Sequence, residues 1–167
     1  DLMKEDALAF KNRFERITFG DPLLTTQQDH VEIVNAICQE FSNLPAYCAL
    51  ILMGHGTSHY ANDVYAALDY RFKDLGFSNI HLATVEGYPT LENVTRMVKE
   101  QEAKKVILAP FMIVAGDHAR NDMSGDDEDS WKNQFRAAGY DVECRMKGLG
   151  EYPAIQDMLI RHVTEVC

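Results

Sequence analysis

The chain has 167 residues, 46% of them apolar, and a formal net charge of −10. That length suits one domain with a sizeable core, or one and a fragment. The charge argues against a nucleic-acid phosphate footprint, and no apolar run approaches the roughly 18 residues of a membrane helix.

Residues 1–45 differ in pattern from the rest of the chain. They read as a helix over about Lys4–Arg16, a short strand Ile17–Gly20, the turn Asp21-Pro22 and a helix over about Thr26–Phe41. Phe10-Lys11-Asn12-Arg13-Phe14 echoes Trp131-Lys132-Asn133-Gln134-Phe135, and a Gly and a Pro-containing turn come after both. The echo makes residues 1–45 the tail of a preceding, similar lobe together with a connection, and residues 46–167 a second lobe.

From Tyr47 the pattern is regular. Tyr47–Met53 is a continuous apolar run, as a strand buried on both faces should be. Ala61–Leu75 is helical and stops at Gly76. Ile80–Val85 is a second strand and Thr90–Glu102 a second helix, entered after Pro89. Lys105–Phe111 is a third strand, with a polar loop after it to about Asp126. A helix over Glu128–Ala138, a strand over Tyr140–Met146 and a closing helix over Ala154–Val166 complete the chain. Repeated β-then-α units predict an α/β fold, a parallel sheet with helices on both faces. In such sheets ligands bind beyond the carboxyl ends of the strands.

Three ionisable residues fall at that end: His55 in MGHGTSH, Glu86 in ATVEGYP and His118 in AGDHARND, at separations of 31 and 32 residues. Two imidazoles and a carboxylate brought to one sheet edge suit a divalent transition metal. Glycines flanking His55 let the backbone turn and a flat ligand approach. His59 is a candidate helix start or outer-shell donor, Asp117 and Asp122 are candidates to orient an imidazole, and Arg120 suits a ligand carboxylate. Asp126-Asp127-Glu128-Asp129 reads as first-turn charge complementing a helix dipole rather than as a metal cluster. His30, His81 and His162 read as surface or half-buried residues without partners. Cys38, Cys48, Cys144 and Cys167 form no C-x-x-C pair and read as reduced thiols of a cytoplasmic protein. The chain starts at Asp1 rather than Met, so a removed leader, and with it the periplasm, stays open.

The combination MGHGTSH, VEGYP and AGDHARNDM…DDEDSWKNQF…GLGEYPAI resembles the anaerobic sirohydrochlorin cobaltochelatases of the CbiK type, within the class II chelatases. The likeness runs from about Tyr47 to the C-terminus, with Pro22–Thr26 resembling the junction between the family's two halves. It implies a two-lobed α/β fold holding a tetrapyrrole between lobes, and insertion of Co2+ into sirohydrochlorin in cobalamin synthesis. It implies no organic cofactor, no membrane and no nucleic-acid partner. The family's metal-binding and catalytic His, Glu and His fall on His55, Glu86 and His118, with His55 the proton acceptor. Most of a first lobe is absent, so a missing N-terminal half or a homo-oligomer is the expected partner. Residue types alone leave Ni2+, Fe2+ and Zn2+ open beside Co2+. They also leave open a non-catalytic metal or haem/tetrapyrrole carrier, and a general hydrolase or ligand-binding module.

Overall fold

Four short strands carry the architecture: β1 (Cys48–Gly54), β2 (Ile80–Thr84), β3 (Lys105–Pro110) and β4 (Asp141–Cys144). The computed structural model describes the backbone of residues 2–167 and the side chains from Lys4 onward. All strand pairs are parallel, in the order β2-β1-β3-β4. β1 is buried at every position, which explains its unbroken apolar run: it is covered on both faces.

Period-two alternation divides the core into two layers. Leu50, Leu52, Ile80, Leu82, Ile107 and Ala109 face one side, where they meet α2 (Gln27–Glu40), α3 (Asp63–Asp74) and α6 (Pro153–Thr164). Ala49, Ile51, Met53, Ala83, Val106 and Leu108 face the other, where they meet α4 (Leu91–Glu100) and α5 (Trp131–Ala137). The crossover from β1 to β2 uses one face and the later crossovers use the other. That change of direction results from right-handed crossovers in a sheet that grows first one way and then the other. It opens a crevice between the carboxyl ends of β1 and β3, where ligands of such sheets bind.

The N-terminal segment departs from the predicted elements. Its helix, α1 (Leu2–Leu8), is short, a 3-10 turn comes next at Lys11–Arg13, and Ile17–Gly20 pairs with no strand among the described residues. Phe10 and Phe14 are more than half exposed, whereas their sequence counterparts Trp131 and Phe135 are buried beneath the sheet. α2, by contrast, is an integral part of the core through Ile33, Val34, Ile37 and Phe41.

α2 is fastened to α6 through a buried carboxylate. Thr26 caps α2 and Asp29 completes the reciprocal capping box. Asp29, fully buried, also accepts from Arg161 at 2.9 Å and from His162 Nε2 at 2.9 Å. His162 Nδ1 lies 2.8 Å from the Asp21 carbonyl. Both nitrogens of His162 therefore face oxygens that only accept, and the doubly protonated ring satisfies both. The backbone hydrogen bond to Asp21 and the Asp29 carboxylate accordingly raise the His162 pKa. Burial pushes the Asp29 carboxyl up, but its hydrogen bonds to His162 and Thr26 outweigh that and hold it below the ordinary range. His81 is also buried and partnered, between Lys73 Nζ and Gln101 Oε1. The expectation that His81 and His162 lack partners is thus corrected: each neutralises polar groups that α/β packing has buried.

The acidic run Asp126–Asp129 does not occupy a first helical turn either. α5 begins at Trp131, and Ser130 caps it by accepting from Asn133 N. The Asn133 side chain donates to the carbonyls of Asp126 and Asp127, so the run forms a turn ahead of the helix. No described helix is long and apolar enough to cross a membrane.

Candidate metal centre

The backbone pairing of β1 with β2 continues past the strand ends. Val85 N donates to Gly54 O at 3.1 Å and Glu86 N to His55 O at 2.9 Å. The two candidate residues are therefore held side by side by the sheet's own ladder. The Glu86 carboxylate lies 3.8 Å from His55 Nδ1. The His118 ring packs at right angles to that of His55, with ring centroids 4.6 Å apart and planes at 87°. His55 thus neighbours both Glu86 and His118, and residues distant in sequence meet at the crevice.

Glycines make this approach feasible. Gly56 has φ +84, and a Cβ there would lie 2.7 Å from Gly87 N, so the His55 and Glu86 loops touch backbone to backbone. Asn62 joins the same two loops: its Oδ1 accepts from Thr57 N at 3.0 Å and its Nδ2 donates to the Tyr88 carbonyl at 2.6 Å. The sequence offers no signal for Asn62, a polar residue in a loop that becomes buried only when the two loops close on it.

The third loop is fixed differently. Leu149 N and Gly150 N donate to the carbonyls of Met112 and Ile113 at 2.8 and 2.9 Å. A Cβ at Gly148 would lie 2.6 Å from the Ile113 carbonyl, so the GLG sequence is there to let two backbones meet. The chain then enters a π-helical turn, Ala119–Met123, where the sequence predicts only an irregular loop. Ala119 and Met123 anchor it in the core. Such widened turns recur at functional sites. Here the turn places Asp122 Oδ2 at 2.5 Å from His118 Nδ1.

The hydrogen bonds decide which imidazole nitrogens are available. His55 Nδ1 lies 2.9 Å from the Gly56 carbonyl, which only accepts, so a neutral His55 carries its proton on Nδ1. His118 Nδ1 likewise faces a carboxylate. In both rings the lone pair then resides on Nε2, free of protein hydrogen bonds among the described residues. Neutral imidazole with a tethered Nδ1–H is the form that binds metals. Among the described residues no three His, Cys, Asp or Glu side chains are placed to hold a metal ion together. Glu86 lies on the Nδ1 side of His55 and its side chain is 58% exposed, so it has room to turn.

The remaining candidates divide. Arg120 projects from the π turn, exposed and in no ion pair among the described residues. Asp117 is exposed and makes no side-chain hydrogen bond among them. His59 accepts from Ala61 N and caps the turn Tyr60–Asn62. Burial raises the pKa of Cys38 to about 11 and also raises those of Cys48 and Cys144, so none of these three thiols is poised as a nucleophile.

The cobalt chelatase (CbiK) family profile matches residues 1–167. A sirohydrochlorin cobaltochelatase of Salmonella typhimurium is 40% identical over 150 residues, which cover 90% of this chain and 56% of that protein. The sirohydrochlorin cobaltochelatase CbiKC of Nitratidesulfovibrio vulgaris is 31% identical over 169 residues, covering 98% of this chain and 58% of that one. Among solved structures, the sirohydrochlorin chelatase SirB of Bacillus subtilis subspecies spizizenii, in complex with cobalt, aligns with 99% of this chain and 61% of its own. Its TM-score is 0.59 at 14% identity. A multi-domain protein of Deinococcus radiodurans with structural similarity to chelatases aligns at TM-score 0.54 and 17% identity, over 80% of this chain and 29% of its own. These two likenesses establish the fold. The chain spans somewhat over half the length of the curated relatives it matches.

Proposed function

The chain belongs to the cobalt chelatase (CbiK) family, and from that premise we propose that it acts in the insertion of Co2+ into sirohydrochlorin, with His55, Glu86 and His118 as both metal ligands and catalytic residues. The observation that carries this reading is the His55–His118 pair, whose Nδ1 atoms are occupied and whose Nε2 atoms are open, with Glu86 beside it. Family membership removes the general hydrolase reading.

Metallation replaces two pyrrole N–H protons by one divalent ion, so the site must hold Co2+ loosely and accept protons. Two imidazoles and one carboxylate leave coordination positions for pyrrole nitrogens, which a closed cage would fill. As Co2+ leaves His55 Nε2 for the pyrrole nitrogens, that lone pair is freed to take the two pyrrole protons in turn and pass each to water. Arg120 is a local cation on an acidic protein and serves a carboxylate of the tetrapyrrole rim. Co2+ enters as a substrate, and the donor set does not by itself reject Ni2+, Fe2+ or Zn2+. In the same reading the residues ahead of α2 are the end of a preceding lobe and a connection, supported by the Phe10–Phe14 echo, whereas α2 belongs to the lobe whose core it completes. A second lobe or a second copy provides the other wall for the tetrapyrrole. The free cysteines suit a reducing cytoplasm.

The test is a Co2+ titration of this chain, read by the visible absorption of protein-bound Co2+, and then insertion into sirohydrochlorin. His55→Ala, Glu86→Ala and His118→Ala should each weaken Co2+ binding and abolish insertion. Unchanged Co2+ affinity in both histidine variants overturns the site. Binding of preformed cobalt-sirohydrochlorin without insertion transfers the reading to a carrier.

A further inference from the structure

The two imidazoles of the pair are tethered by unlike partners. His55 Nδ1 meets a neutral carbonyl one residue away, at 2.9 Å. His118 Nδ1 meets the Asp122 carboxylate at 2.5 Å. A charged acceptor makes a stronger hydrogen bond than a neutral one. It also holds the ring in one tautomer and one orientation.

An ordinary i,i+4 ion pair on a helix surface would carry little meaning. This one is built by the backbone. Asp122 lies inside the π turn, whose ends, Ala119 and Met123, are fully buried. Ser124 closes the turn twice onto Ala119 O, through its amide at 3.1 Å and its hydroxyl at 2.8 Å. Gly125 N donates to Asn121 O at 3.0 Å, and a Cβ at Gly125 would lie 2.2 Å from that oxygen. The turn is thus clamped at both ends, and Asp122 has a fixed origin from which to reach His118.

We propose that Asp122 is a positioning residue: it holds His118 with the proton on Nδ1 and the lone pair on Nε2, so that His118 is set to bind the incoming metal ion. The inference rests on the reading of His118 as a metal ligand. The ring meets Asp122 at Nδ1 and packs at right angles to the His55 ring, and Asp122 works through His118 without touching the ion.

Tautomer and affinity test it separately. In metal-free protein with 15N-labelled histidine, long-range 1H–15N spectra report which ring nitrogen of His118 carries the proton, with His118→Ala assigning the signals. Asp122→Ala should release His118 into a mixture of tautomers and lower Co2+ affinity about 10- to 100-fold. Asp122→Asn removes the charge and can turn its NH2 toward Nδ1, so it should leave the tautomer mixed and restore little of the affinity. A purely structural role would instead lower the melting temperature and leave the His118 tautomer unmoved, and that result overturns the inference. If His118→Ala leaves Co2+ affinity intact, the metal-centre reading fails, and with it the purpose assigned to Asp122. If His118→Ala weakens Co2+ binding but Asp122→Ala does not, only the role of Asp122 is overturned.

Discussion

Asn62 and Tyr88 are joined across 26 residues of sequence by a 2.6 Å hydrogen bond from the Asn62 side-chain amide to the Tyr88 carbonyl. Because Asn62 Oδ1 also accepts from Thr57 N, one carboxamide spans the loop that carries His55 and the loop that carries Glu86. The packing leaves no slack, since a Cβ on Gly87 would lie 2.3 Å from Asn62 Oδ1. Asn62→Ala removes both bonds and leaves a backbone donor and acceptor unpaired in a site where Asn62 itself is only 9% exposed. The expected cost is about 1–3 kcal/mol of folding stability. Co2+ affinity should fall as well, although no proposed ligand has been changed. Chemical denaturation tracked by the fluorescence of Trp131, the sole tryptophan, measures the first, and a Co2+ titration the second. Unaltered Co2+ affinity would mean that the sheet ladder alone aligns the loops.

The Asp29–His162 contact makes stability depend on pH at both ends. His162 has a raised pKa in the folded chain, from an ordinary value of 6.5. Its contribution is therefore complete below about that pH and fades as pH rises through the higher folded value. Asp29 has a lowered pKa, from an ordinary 3.8. Its contribution is complete above that and fades as pH falls through the lower folded value. The contact is at full strength between the two ordinary values. Arg161, 2.9 Å from the same Asp29 oxygen, keeps the carboxylate paired when His162 deprotonates. His162→Gln should thus lower stability most at mildly acidic pH, and the decline of wild-type stability toward alkaline pH should flatten in the variant. Urea midpoints at closely spaced pH values would reveal it, and parallel profiles for the two proteins would refute it.

Different parts of the chain are legible in the sequence to different degrees. Strands β1, β2 and β3 stand out because burial on both faces demands unbroken apolar runs, and their spacing carries the fold class. His55, Glu86 and His118 are visible because a strand end in a parallel sheet is a known location, whatever the loop does. What the loops do is not legible. Asn62 and Asp122 act through contacts that exist only after three loops meet, and the π turn has no periodic signature over Ala119–Met123. The buried histidines mislead for a related reason. Polarity predicts exposure unless the partners are known, and those of His162 lie more than 130 residues away. At the N-terminus, Phe10 and Phe14 carry a core pattern, and the described structure provides no sheet for them to cover.

Gly125 offers a way to disturb the proposed metal centre without touching any side chain in it. Its backbone amide closes the π turn on Asn121 O, and a Cβ at this position would lie 2.2 Å from that oxygen and 3.0 Å from its carbon. The obstruction is backbone rather than the tip of a flexible side chain, so Gly125→Ala must shift the turn itself. Asp122 lies within that turn, and His118 immediately precedes it. The core anchors Ala119 and Met123 limit how far the disturbance spreads. The sheet, with His55 and Glu86 on its ladder, should therefore stay folded, with a loss of stability of about 1–3 kcal/mol from overpacking. Co2+ affinity should drop in the manner of Asp122→Ala, and the His118 tautomer should become mixed. Combining Gly125→Ala with Asp122→Ala should add little further loss of affinity, because both act through the same contact. Fully additive losses would show that the turn supports the proposed metal centre by a route other than the Asp122–His118 bond.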